Sequence, residues 1–501
     1  MSQQSAQSKS VDLKQAQNLA KRLSGTYFVD GKLKNASDEF AATDPATMQV
    51  IGQIARCTQA EADEAIQNAH TAQKEWSALS PRERGRMVQK CAESLDNHKQ
   101  EIAYLMALET GKALRTECIV ETNVYTDIYN FYAGLGSEIK GQTIPFNPKM
   151  LTMTVREPLG VVGAIIPWNV PLMLMALKVA PALVAGNTVV VKPSEEASLC
   201  VLRVAEIMSK VLPKGVLNIL PGKGTEAGTA LVNHPLIKKI SFTGSVATGK
   251  LISKQAGERL VPATLELGGK SPMIIMEDAD IDAAIDGAIN GMRFTRQSQS
   301  CSASSRLFVH ESHHDAVVDG MKERIDKMVM GDPLNEETDM GAIISKAQYD
   351  KVMNYIEMGK QEPGVTIHSC SALPNDPKFK DGLFVKPILI TNISNQSRLA
   401  QEEIFGPVQC IIKWKNIDDA IQMANDTDFG LTASVWTKDI KNGLNSVRAL
   451  EAGLVQINQN LVVQAGIPYG GFKDSGLGKE ASLESMLEHY TKSKTIMVNL
   501  G

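Results

Sequence analysis

Short apolar segments alternate with segments of helical periodicity from about residue 161 onward, and this alternation constrains the fold more than any other feature of the chain. The apolar runs have the length and the β-branched content of buried strands, and glycine or proline residues separate them. They are VVGAII, NTVVVK, GVLNIL, KKISF and SPMIIM. Strands that alternate with helices form a parallel sheet with helices on both faces, so we predict a doubly wound α/β domain.

A second series of apolar runs follows Glu266 and comprises RLFV, GLFVKPILI, VQCIIKW and ASVWT. Helical patterns interleave with this series around residues 311–330, 346–360 and 418–425. The stretch 361–381 contains several prolines and predicts a surface loop. We therefore predict two α/β domains with a cleft between them.

The composition excludes several classes of protein. Hydrophobic residues make up 43% of the 501 residues and charged residues 22%, which are ordinary values for a folded protein. The net charge of −4 provides no positive field that would attract a phosphate backbone, so nucleic acid is not an expected partner. The seven cysteines are an odd number without CxxC or CxxH spacing, so we expect free thiols and no metal site.

Neither the N-terminus nor the most apolar segment predicts export or membrane insertion. The first 25 residues are polar and lack the apolar core of a secretory signal. The longest apolar stretch, 161–186, contains Pro167, Pro171 and Lys178, which favour a buried strand, a turn and a helix over a membrane span. We therefore expect a cytoplasmic protein without a membrane partner.

Three residues near the ends of apolar runs are candidates for chemistry. Cys301 lies in the polar loop QSQSCSASS, although a lone cysteine is most often an inert core residue. Glu266 precedes Gly268 and Gly269, where the chain can turn tightly and bring its backbone close to a ligand. Asn169 follows the apolar run that ends in IIPW, a position that also suits a simple turn before a helix. The residues alone leave a structural and a functional role open for each.

The segment FTGSVATGK at residues 242–250 is a candidate for nucleotide binding. Two glycines flank a polar turn that leads into a helical pattern, and a helix N-terminus offers N–H groups to a pyrophosphate. Its GxxxxG spacing lacks the three-glycine fingerprint, and no GKS or GKT follows. The segment alone is therefore a weak indication.

Taken together and in this order, these segments resemble the aldehyde dehydrogenase superfamily, of the NAD(P)-dependent and non-acylating type, from about Asp44 to Tyr490. The most specific blocks are PWNVP (167–171), VKPSE (191–195), FTGS (242–245), LELGGKSP (265–272), QSQSC (297–301), EEIFGPV (402–408) and PYGGFKDSGLGKE (468–480). The resemblance implies oxidation of an aldehyde to the carboxylic acid through a thiohemiacetal and a thioester. Cys301 matches the family nucleophile, Glu266 the base that activates water, and Asn169 the amide of the oxyanion hole.

The resemblance also implies NAD as the cofactor, with NADP as the alternative. Lys192 and Glu195 match contacts to the ribose, and the carboxylate of Glu195 would repel a 2′-phosphate. Glu403 and Phe405 match residues that position the nicotinamide half. The full set of implied cofactor contacts is Ile165, Pro167, Trp168, Lys192, Ser194, Glu195, Gly224, Phe242, Thr243, Gly244, Ser245, Leu267, Glu403 and Phe405.

The chain departs from the family pattern in the nucleophile loop and in the substrate pocket. Ser298 stands where the family usually has glycine, which could stiffen or crowd the loop. Pocket positions that are commonly aromatic are here Val170, Leu177 and Val463. We expect a small or polar aliphatic aldehyde or a semialdehyde, with a betaine-type or aromatic aldehyde as the alternative. Arg293 or Arg296 could hold a semialdehyde carboxylate, although ion pairing is the commoner role of such residues.

Other functions remain open to the sequence. Acyl transfer to coenzyme A would use the same thioester, but Glu266 is suited to activating water instead. A binding protein that has only kept the fold would not need Cys301, Glu266 and Asn169 together. A cysteine hydrolase would need a histidine partner, and no histidine stands in a recognisable signature.

The resemblance implies a division into domains. The NAD(P)-binding domain would take residues 1–138 and 157–266, the oligomerisation element 139–156 and 486–501, the catalytic domain 267–470, and a return segment 471–485. The C-terminal run KTIMVNL has the pattern of a strand, and an exposed edge strand is a liability unless another subunit pairs with it. We therefore expect a homodimer or a homotetramer.

Overall fold

A computed structural model describes residues 3–460 and 464–501, whose strands form five sheets. In chain order the strands are β1 (Thr26–Val29), β2 (Lys32–Asn35), β3 (Glu39–Thr43), β4 (Val50–Ala55), β5 (Thr143–Ile144), β6 (Met150–Pro158), β7 (Val161–Ile165), β8 (Thr188–Lys192), β9 (Leu217–Ile219), β10 (Ile237–Thr243), β11 (Ala263–Glu266), β12 (Pro272–Ile275), β13 (Arg306–His310), β14 (Thr366–Ser369), β15 (Ile388–Thr391), β16 (Val408–Trp414), β17 (Phe429–Gly430), β18 (Thr432–Trp436), β19 (Leu454–Ile457), β20 (Phe472–Lys473), β21 (Gly476–Leu477) and β22 (Thr491–Asn499).

The helices pack around these sheets. In chain order they are α1 (Gln3–Leu23), α2 (Gln59–Ala78), α3 (Pro81–Asp96), α4 (Lys99–Thr110), α5 (Ile119–Gly134), α6 (Pro171–Val184), α7 (Leu199–Met208), α8 (Thr229–Asn233), α9 (Val246–Glu258), α10 (Ile281–Met292), α11 (His314–Asp326), α12 (Lys346–Gln361), α13 (Arg398–Gln401), α14 (Ile417–Asn425), α15 (Ile440–Ala449) and α16 (Leu483–Tyr490). Shorter helical turns span Leu114–Cys118, Leu135–Glu138, Gly224–Gly228, Phe294–Arg296 and Pro377–Phe379.

Local sequence explains where several helices begin and end. The hydroxyl of Ser80 accepts a hydrogen bond from the Glu83 amide at the start of α3, and Pro81 occupies the first helical position. Asp280 caps α10 through the amide of Ala283. Helix α4 ends at Gly111, whose φ of 68° lies in the left-handed region that glycine adopts without a steric penalty.

The first large sheet has the strand order β2-β1-β9-β8-β7-β10-β11-β21. Its five central strands, β9 to β11 in this order, are parallel, and β1, β2 and β21 extend the sheet in antiparallel pairing. Every residue of β8 is buried, as expected for a parallel strand that helices cover on both faces. From β7 the chain adds β8 and then β9 on one side of the sheet, and it then crosses back to place β10 on the other side of β7. The strand order therefore reverses between β7 and β10.

The second large sheet has the order β14-β15-β16-β13-β12-β18-β19, and all of its pairs are parallel except β14 with β15. A separate sheet of β22, β6 and β5 joins the C-terminal strand to residues 143–158. These sheets confirm the prediction of two doubly wound α/β units and a small β element. No helix among the described residues is long and apolar enough to cross a membrane.

One sequence prediction was wrong in local detail, and one helix was not predicted. The stretch 361–381 contains the edge strand β14 (Thr366–Ser369), whose half-exposed, mostly polar residues give little apolar signal between the prolines. The polar N-terminal segment forms α1, which buries Ala16, Leu19, Ala20 and Leu23 at helical spacing. That spacing was visible in the sequence, but the high polarity of the surrounding residues obscured it.

Candidate active site

A cavity of about 220 Å³ lies at the carboxyl ends of β7, β10 and β11, where the strand order of the first sheet reverses. Crevices at such a reversal are the usual ligand sites of doubly wound sheets. The lining residues are Pro167, Trp168, Asn169, Thr243, Gly244, Ser245, Leu267, Gly268, Cys301, Gln348, Lys351, Glu403 and Phe405. Segments from both large sheets contribute, so the cavity occupies the predicted cleft.

Cys301 is the partly exposed thiol of this cavity, whereas the other six cysteines of the chain are buried. Its Sγ lies 3.8 Å from the hydroxyl of Tyr469. Burial raises the pKa of the Cys301 thiol to about 11, and the negative charge of Glu403 contributes in the same direction. The group is therefore a thiol at neutral pH and must lose a proton before it can act as a nucleophile.

The loop that carries Cys301 has an unusual backbone. Arg293, Gln297 and Ser298 have φ values of 56°, 53° and 53°, in the left-handed region that side chains disfavour. Neighbouring segments hold the loop in place, since the Gln297 side chain donates to the carbonyl of Gly341 at 3.0 Å. Gly269 permits the closest approach, because a Cβ there would come within 2.2 Å of the Cys301 carbonyl oxygen. Gly269 thus accommodates the nucleophile loop itself, whereas a Cβ on Gly268 would meet the Glu403 carboxylate.

Ser298 combines two unfavourable features, the left-handed φ and a buried hydroxyl without a hydrogen-bond partner. We expect Ser298→Gly to stabilise the protein by about 1–2 kcal/mol, because it removes both the strain and the unpaired hydroxyl. The measurement is the midpoint of thermal or urea unfolding. Ser300→Gly is the matched control, since Ser300 has no positive φ and its hydroxyl bonds to Ser302, so this change should destabilise. A lower midpoint for Ser298→Gly would contradict the expectation.

Asn169 faces the same cavity from the turn between β7 and α6. Its side-chain Nδ2 donates to the carbonyl of Gln299 at 3.1 Å, and its backbone carbonyl accepts a hydrogen bond from Lys112 Nζ at 2.9 Å. An amide nitrogen carries two hydrogens, so the bond to Gln299 leaves one for a ligand oxygen. The contact links the amide directly to the loop that bears Cys301.

Glu266 ends β11 and is buried behind the cavity instead of lining it. Its Oε2 has no hydrogen-bond partner, and a Cβ on Gly470 would come within 2.7 Å of its Oε1. Burial and the nearby Glu480 raise the pKa of the Glu266 carboxyl well above its usual range, and Lys178 opposes them. The charge of Glu266 also raises the pKa of the Cys301 thiol, so the two groups lie within electrostatic reach of each other.

A buried ion pair lies close enough to Glu266 for both of its charges to act on that carboxyl. Lys178 Nζ lies 2.7 Å from Glu480 Oε1, and both side chains are shielded from solvent. Ser241 donates to the same carboxylate oxygen at 3.1 Å. Lys178 appears in the sequence only as one charge inside an apolar helix, and its partner is far away in the chain, so sequence analysis missed this pair.

Glu403 and Phe405 form the wall of the cavity opposite the first sheet. Glu403 Oε1 accepts a hydrogen bond from the Gly269 amide at 3.0 Å. Phe405 has a φ of 59° and packs edge-on against Trp168, with the ring centroids 5.3 Å apart. Gln348 holds this segment by donating to the carbonyl of Phe405 at 2.9 Å. Sequence analysis missed Gln348, because a polar residue on an amphipathic helix reads as solvent-exposed.

The remaining predicted cofactor residues fall into three groups. Lys192 and Gly224 both contact Glu195, with Lys192 Nζ at 3.2 Å and the Gly224 amide at 2.7 Å. Thr243, Gly244, Ser245 and Leu267 line the cavity, as do Pro167 and Trp168. Ile165 and Phe242 pack in the core beneath it, and the Ser194 hydroxyl is bonded to Glu196.

Two observations show that these residues fit a dinucleotide. The buried Oγ1 of Thr243 in the cavity wall has no hydrogen-bond partner. The N-terminus of the 13-residue helix α9, with Ser245 as its cap, opens at the cavity and offers a positive potential to a phosphate. The segment FTGSVATGK therefore has the structural setting that its spacing alone did not establish.

The predicted substrate pocket has three positions in which this chain departs from the family. Val170 and Leu177 are buried on and near the first turn of α6. Val463 lies outside the described residues. Arg296 bonds to the buried carboxylate of Glu117, with its Nε 2.6 Å from Oε2, so its charge is already compensated within the protein.

Comparison with known proteins agrees with this geometry. The profile of the aldehyde dehydrogenase family matches residues 33–496. The chain is 41% identical to mouse "Aldehyde dehydrogenase, cytosolic 1", covering 93% of each protein, and 39% identical to betaine aldehyde dehydrogenase of Agrobacterium fabrum, covering 95% of this chain and 96% of the relative.

Solved structures give the same result. The NAD+ complex of aldehyde dehydrogenase from Bacillus cereus superimposes with a TM-score of 0.93 at 38% identity, over 97% of this chain and 98% of the other. Betaine aldehyde dehydrogenase from Staphylococcus aureus in complex with NAD+ has a TM-score of 0.93 at 36% identity, over 98% of both chains. From its sequence, its fold and its site, this chain belongs to the aldehyde dehydrogenase family.

Proposed function

We propose that this chain oxidises an aldehyde to the carboxylic acid with NAD, through a thioester on Cys301. The observation that carries the proposal is the meeting of Cys301 and Asn169 at one cavity, with the buried carboxylate of Glu266 within electrostatic reach of the thiol. The cavity presents a thiol and an amide donor, and a buried carboxylate lies behind it, which are the groups that acyl chemistry on sulfur requires.

The first step is attack of Cys301 Sγ on the aldehyde carbon, because a carbonyl carbon does not release hydride readily until it becomes tetrahedral. A C–S bond forms, the C=O π pair moves to oxygen, and the second amide hydrogen of Asn169 stabilises the resulting oxyanion. The thiol proton must leave beforehand. Glu266 is a suitable acceptor, because burial raises the pKa of its carboxyl and makes it a stronger base.

Several residues support a cofactor beside this adduct. Glu195, held by Lys192 and the Gly224 amide, would accept hydrogen bonds from ribose hydroxyls, and the N-terminus of α9 would face the pyrophosphate. Glu403 and Phe405 would hold the nicotinamide ribose and ring near Cys301. NAD, when bound, supplies the acceptor for the hydride that leaves the substrate carbon.

Hydrolysis of the thioester completes the reaction. After Glu266 has released the thiol proton to solvent, it removes a proton from water, the water oxygen bonds to the acyl carbon, and the C–S bond breaks. The sulfur leaves as a thiolate and takes the proton from Glu266, which releases the acid and returns the thiol. The Oε2 of Glu266 has no hydrogen-bond partner within the protein, so it can accept one from that water.

Glu195 should set the preference for NAD over NADP. The Glu195 carboxylate would accept hydrogen bonds from two ribose hydroxyls and would repel a 2′-phosphate. For the wild type we therefore expect a higher kcat/KM with NAD than with NADP. Glu195→Ala should lower kcat/KM for NAD by about tenfold and narrow the difference between the cofactors, since hydrogen bonds to a charged group contribute about 1.5–3 kcal/mol. Steady-state kinetics with both cofactors measures this, and a wild-type preference for NADP would contradict it.

We propose a small or polar aliphatic aldehyde as the substrate. The positions that are commonly aromatic in the family are here the buried aliphatic residues Val170 and Leu177. Glu117 already neutralises Arg296, which removes one candidate anchor for a semialdehyde carboxylate. A panel of straight-chain, aromatic, quaternary-amine and carboxylated aldehydes tests the proposal. We expect kcat/KM to be about tenfold higher for short or polar aliphatic aldehydes than for aromatic ones. The highest value for a quaternary-amine aldehyde would instead support a betaine-type substrate.

The domain boundaries, the cytoplasmic location and the oligomer stay predictions. The sheet of β5, β6 and β22 and the loop between β5 and β6 expose large apolar side chains, including Met497 of β22 at 55% and Phe146 of the loop at 66%. A monomer rarely leaves such side chains clustered in water, and a second copy of this chain would cover them. This supports a homodimer or a homotetramer.

A further inference from the structure

Two buried carboxylates lie four residues apart. Glu117 is in the helical turn Leu114–Cys118, and Glu121 is at the start of α5. Side chains at this spacing share one face of a helix. Both residues are nearly inaccessible, at 3% and 4% exposure. Burial of a charge is costly unless the protein compensates it, so their partners reveal what these residues hold.

Glu121 holds the segment that carries Asn169. Its Oε2 lies 2.5 Å from Lys112 Nζ, and the same ammonium donates to the backbone carbonyl of Asn169 at 2.9 Å. Its Oε1 accepts the amides of Leu172 and Met173 at 2.8 and 3.2 Å, in the first turn of α6. The Lys112–Glu121 pair therefore fixes both the residue and the helix start that follows it.

Glu117 holds the loop that carries Cys301. Its Oε2 accepts a hydrogen bond from Arg296 Nε at 2.6 Å, and its Oε1 accepts the Thr295 hydroxyl at 2.5 Å. Arg296 ends the short helical turn Phe294–Arg296, which lies between the left-handed residues Arg293 and Gln297 before the nucleophile. The Glu117 carboxylate adds a restraint to this strained stretch.

The same segment is anchored to the second large domain independently of these carboxylates. The Leu114 amide donates to the carbonyl of Pro333 at 2.7 Å, and the Ala342 amide donates to the carbonyl of Gly111 at 2.9 Å. The Thr116 hydroxyl donates to the carbonyl of Asp339 at 2.9 Å. Residues 111–121 are thus held by residues 333–342 and, through Lys112, Glu117 and Glu121, contact the segments that carry Asn169 and Cys301.

We infer that Glu117 and Glu121 are positioning residues that together set the placement of the Asn169 amide relative to the Cys301 sulfur. This inference rests on the proposed function, in which that amide stabilises an oxyanion formed at Cys301. Neither carboxylate touches the reacting atoms. Each acts through a neighbour, Glu121 through Asn169 and Glu117 through Arg296 and the nucleophile loop.

Glu121→Gln should separate the oxyanion site from the nucleophile. We expect the rate of the NADH burst, which reports acylation, to fall about 10- to 100-fold, because a misplacement of about 1 Å can cost that much. Alkylation of Cys301 by iodoacetamide needs no oxyanion donor and should stay within about twofold of the wild type. Glu117→Gln, in contrast, should change both rates. A Glu121→Gln burst equal to that of the wild type would overturn the inference.

A double-mutant cycle identifies the residue through which Glu121 acts. If it acts through Asn169, the Glu121→Gln change should slow acylation by less than about threefold in an Asn169→Ala background. Full additivity of the two changes would overturn the assigned route. A purely structural weakening of the fold would slow acylation equally in both backgrounds, so the cycle distinguishes it from positioning.

Glu101→Gln is the matched control. Glu101 forms a partly buried ion pair with Arg203, 2.5 Å apart, on helices that do not line the cavity. Its loss should leave the burst and the alkylation rates unchanged. If Glu121→Gln fails to fold, the double replacement Lys112→Met with Glu121→Gln leaves no unpaired buried charge and should show the same slow burst. A wild type that forms no NADH with any aldehyde, even in a single turnover, would refute the proposed function instead, so the two failures are distinguishable.

Discussion

Cys301→Ala should abolish aldehyde-dependent NADH formation, in a single turnover as well as in the steady state. Without the sulfur, no tetrahedral adduct forms on the protein, and the aldehyde carbon keeps its hydrogen. Removal of a nucleophile from a preorganised site costs on the order of 10⁴-fold or more in rate. The measurement is NADH absorbance after rapid mixing with NAD and aldehyde, with enzyme in excess so that even one turnover is visible.

Cys370→Ala is the control for this experiment. Cys370 is a buried free thiol that directly follows β14 of the second large sheet and does not line the cavity. Loss of this thiol should leave the burst and the steady-state rate intact. NAD binding, followed by fluorescence quenching, should be unchanged in Cys301→Ala, because that side chain carries no charge at neutral pH. A normal steady-state rate for Cys301→Ala would end the proposed mechanism.

Much of the fold could be predicted because buried parallel strands leave a strong pattern. The apolar runs around β7, β8, β10 and β12 correspond to strands in the structure, and their alternation with helices fixes the architecture. Elements at the edges were harder. The strand β14 and the helix α1 are stabilised by contacts distant in sequence, and their own composition is polar.

For the site, local sequence identified the ends of strands but not what converges there. Asn169 and Cys301 follow or precede apolar runs, and the topology brings them to one cavity. The ion pairs Lys112–Glu121 and Lys178–Glu480 are different, because their value depends on burial and on partners from separate segments. In sequence, Lys112, Glu121 and Glu480 look like ordinary surface residues, and Lys178 is a single charge within an apolar helix. In the sequence, the only indication of strain at Ser298 was that the family usually has glycine there. The left-handed φ of Ser298 explains why glycine is favoured at this position.

Glu266→Gln should separate the two halves of the reaction. The variant keeps the shape of the carboxyl but cannot accept a proton, so hydrolysis of the thioester should slow by about 10²- to 10⁴-fold. Acylation needs a base only to deprotonate Cys301, and at high pH hydroxide can do this in its place. We therefore expect a burst of NADH that approaches one equivalent per active site at about pH 9, followed by almost no turnover. A variant that lost the burst at this pH and the steady state equally would contradict the assignment of Glu266 to hydrolysis.

The pH dependence follows from the environment of Glu266. Burial and Glu480 raise the pKa of its carboxyl well above the usual range, so the carboxyl is protonated and inactive as a base at low pH. The steady-state rate of the wild type should therefore rise with pH as this group ionises, and Glu266→Gln should lose that rise. Glu109→Gln controls for neutralising a buried carboxyl, because burial raises the pKa of Glu109 to about 7 while its partners are the amides of Leu199 and Cys200, away from the cavity. If Glu109→Gln removed the same pH dependence, the titrating base would not be Glu266.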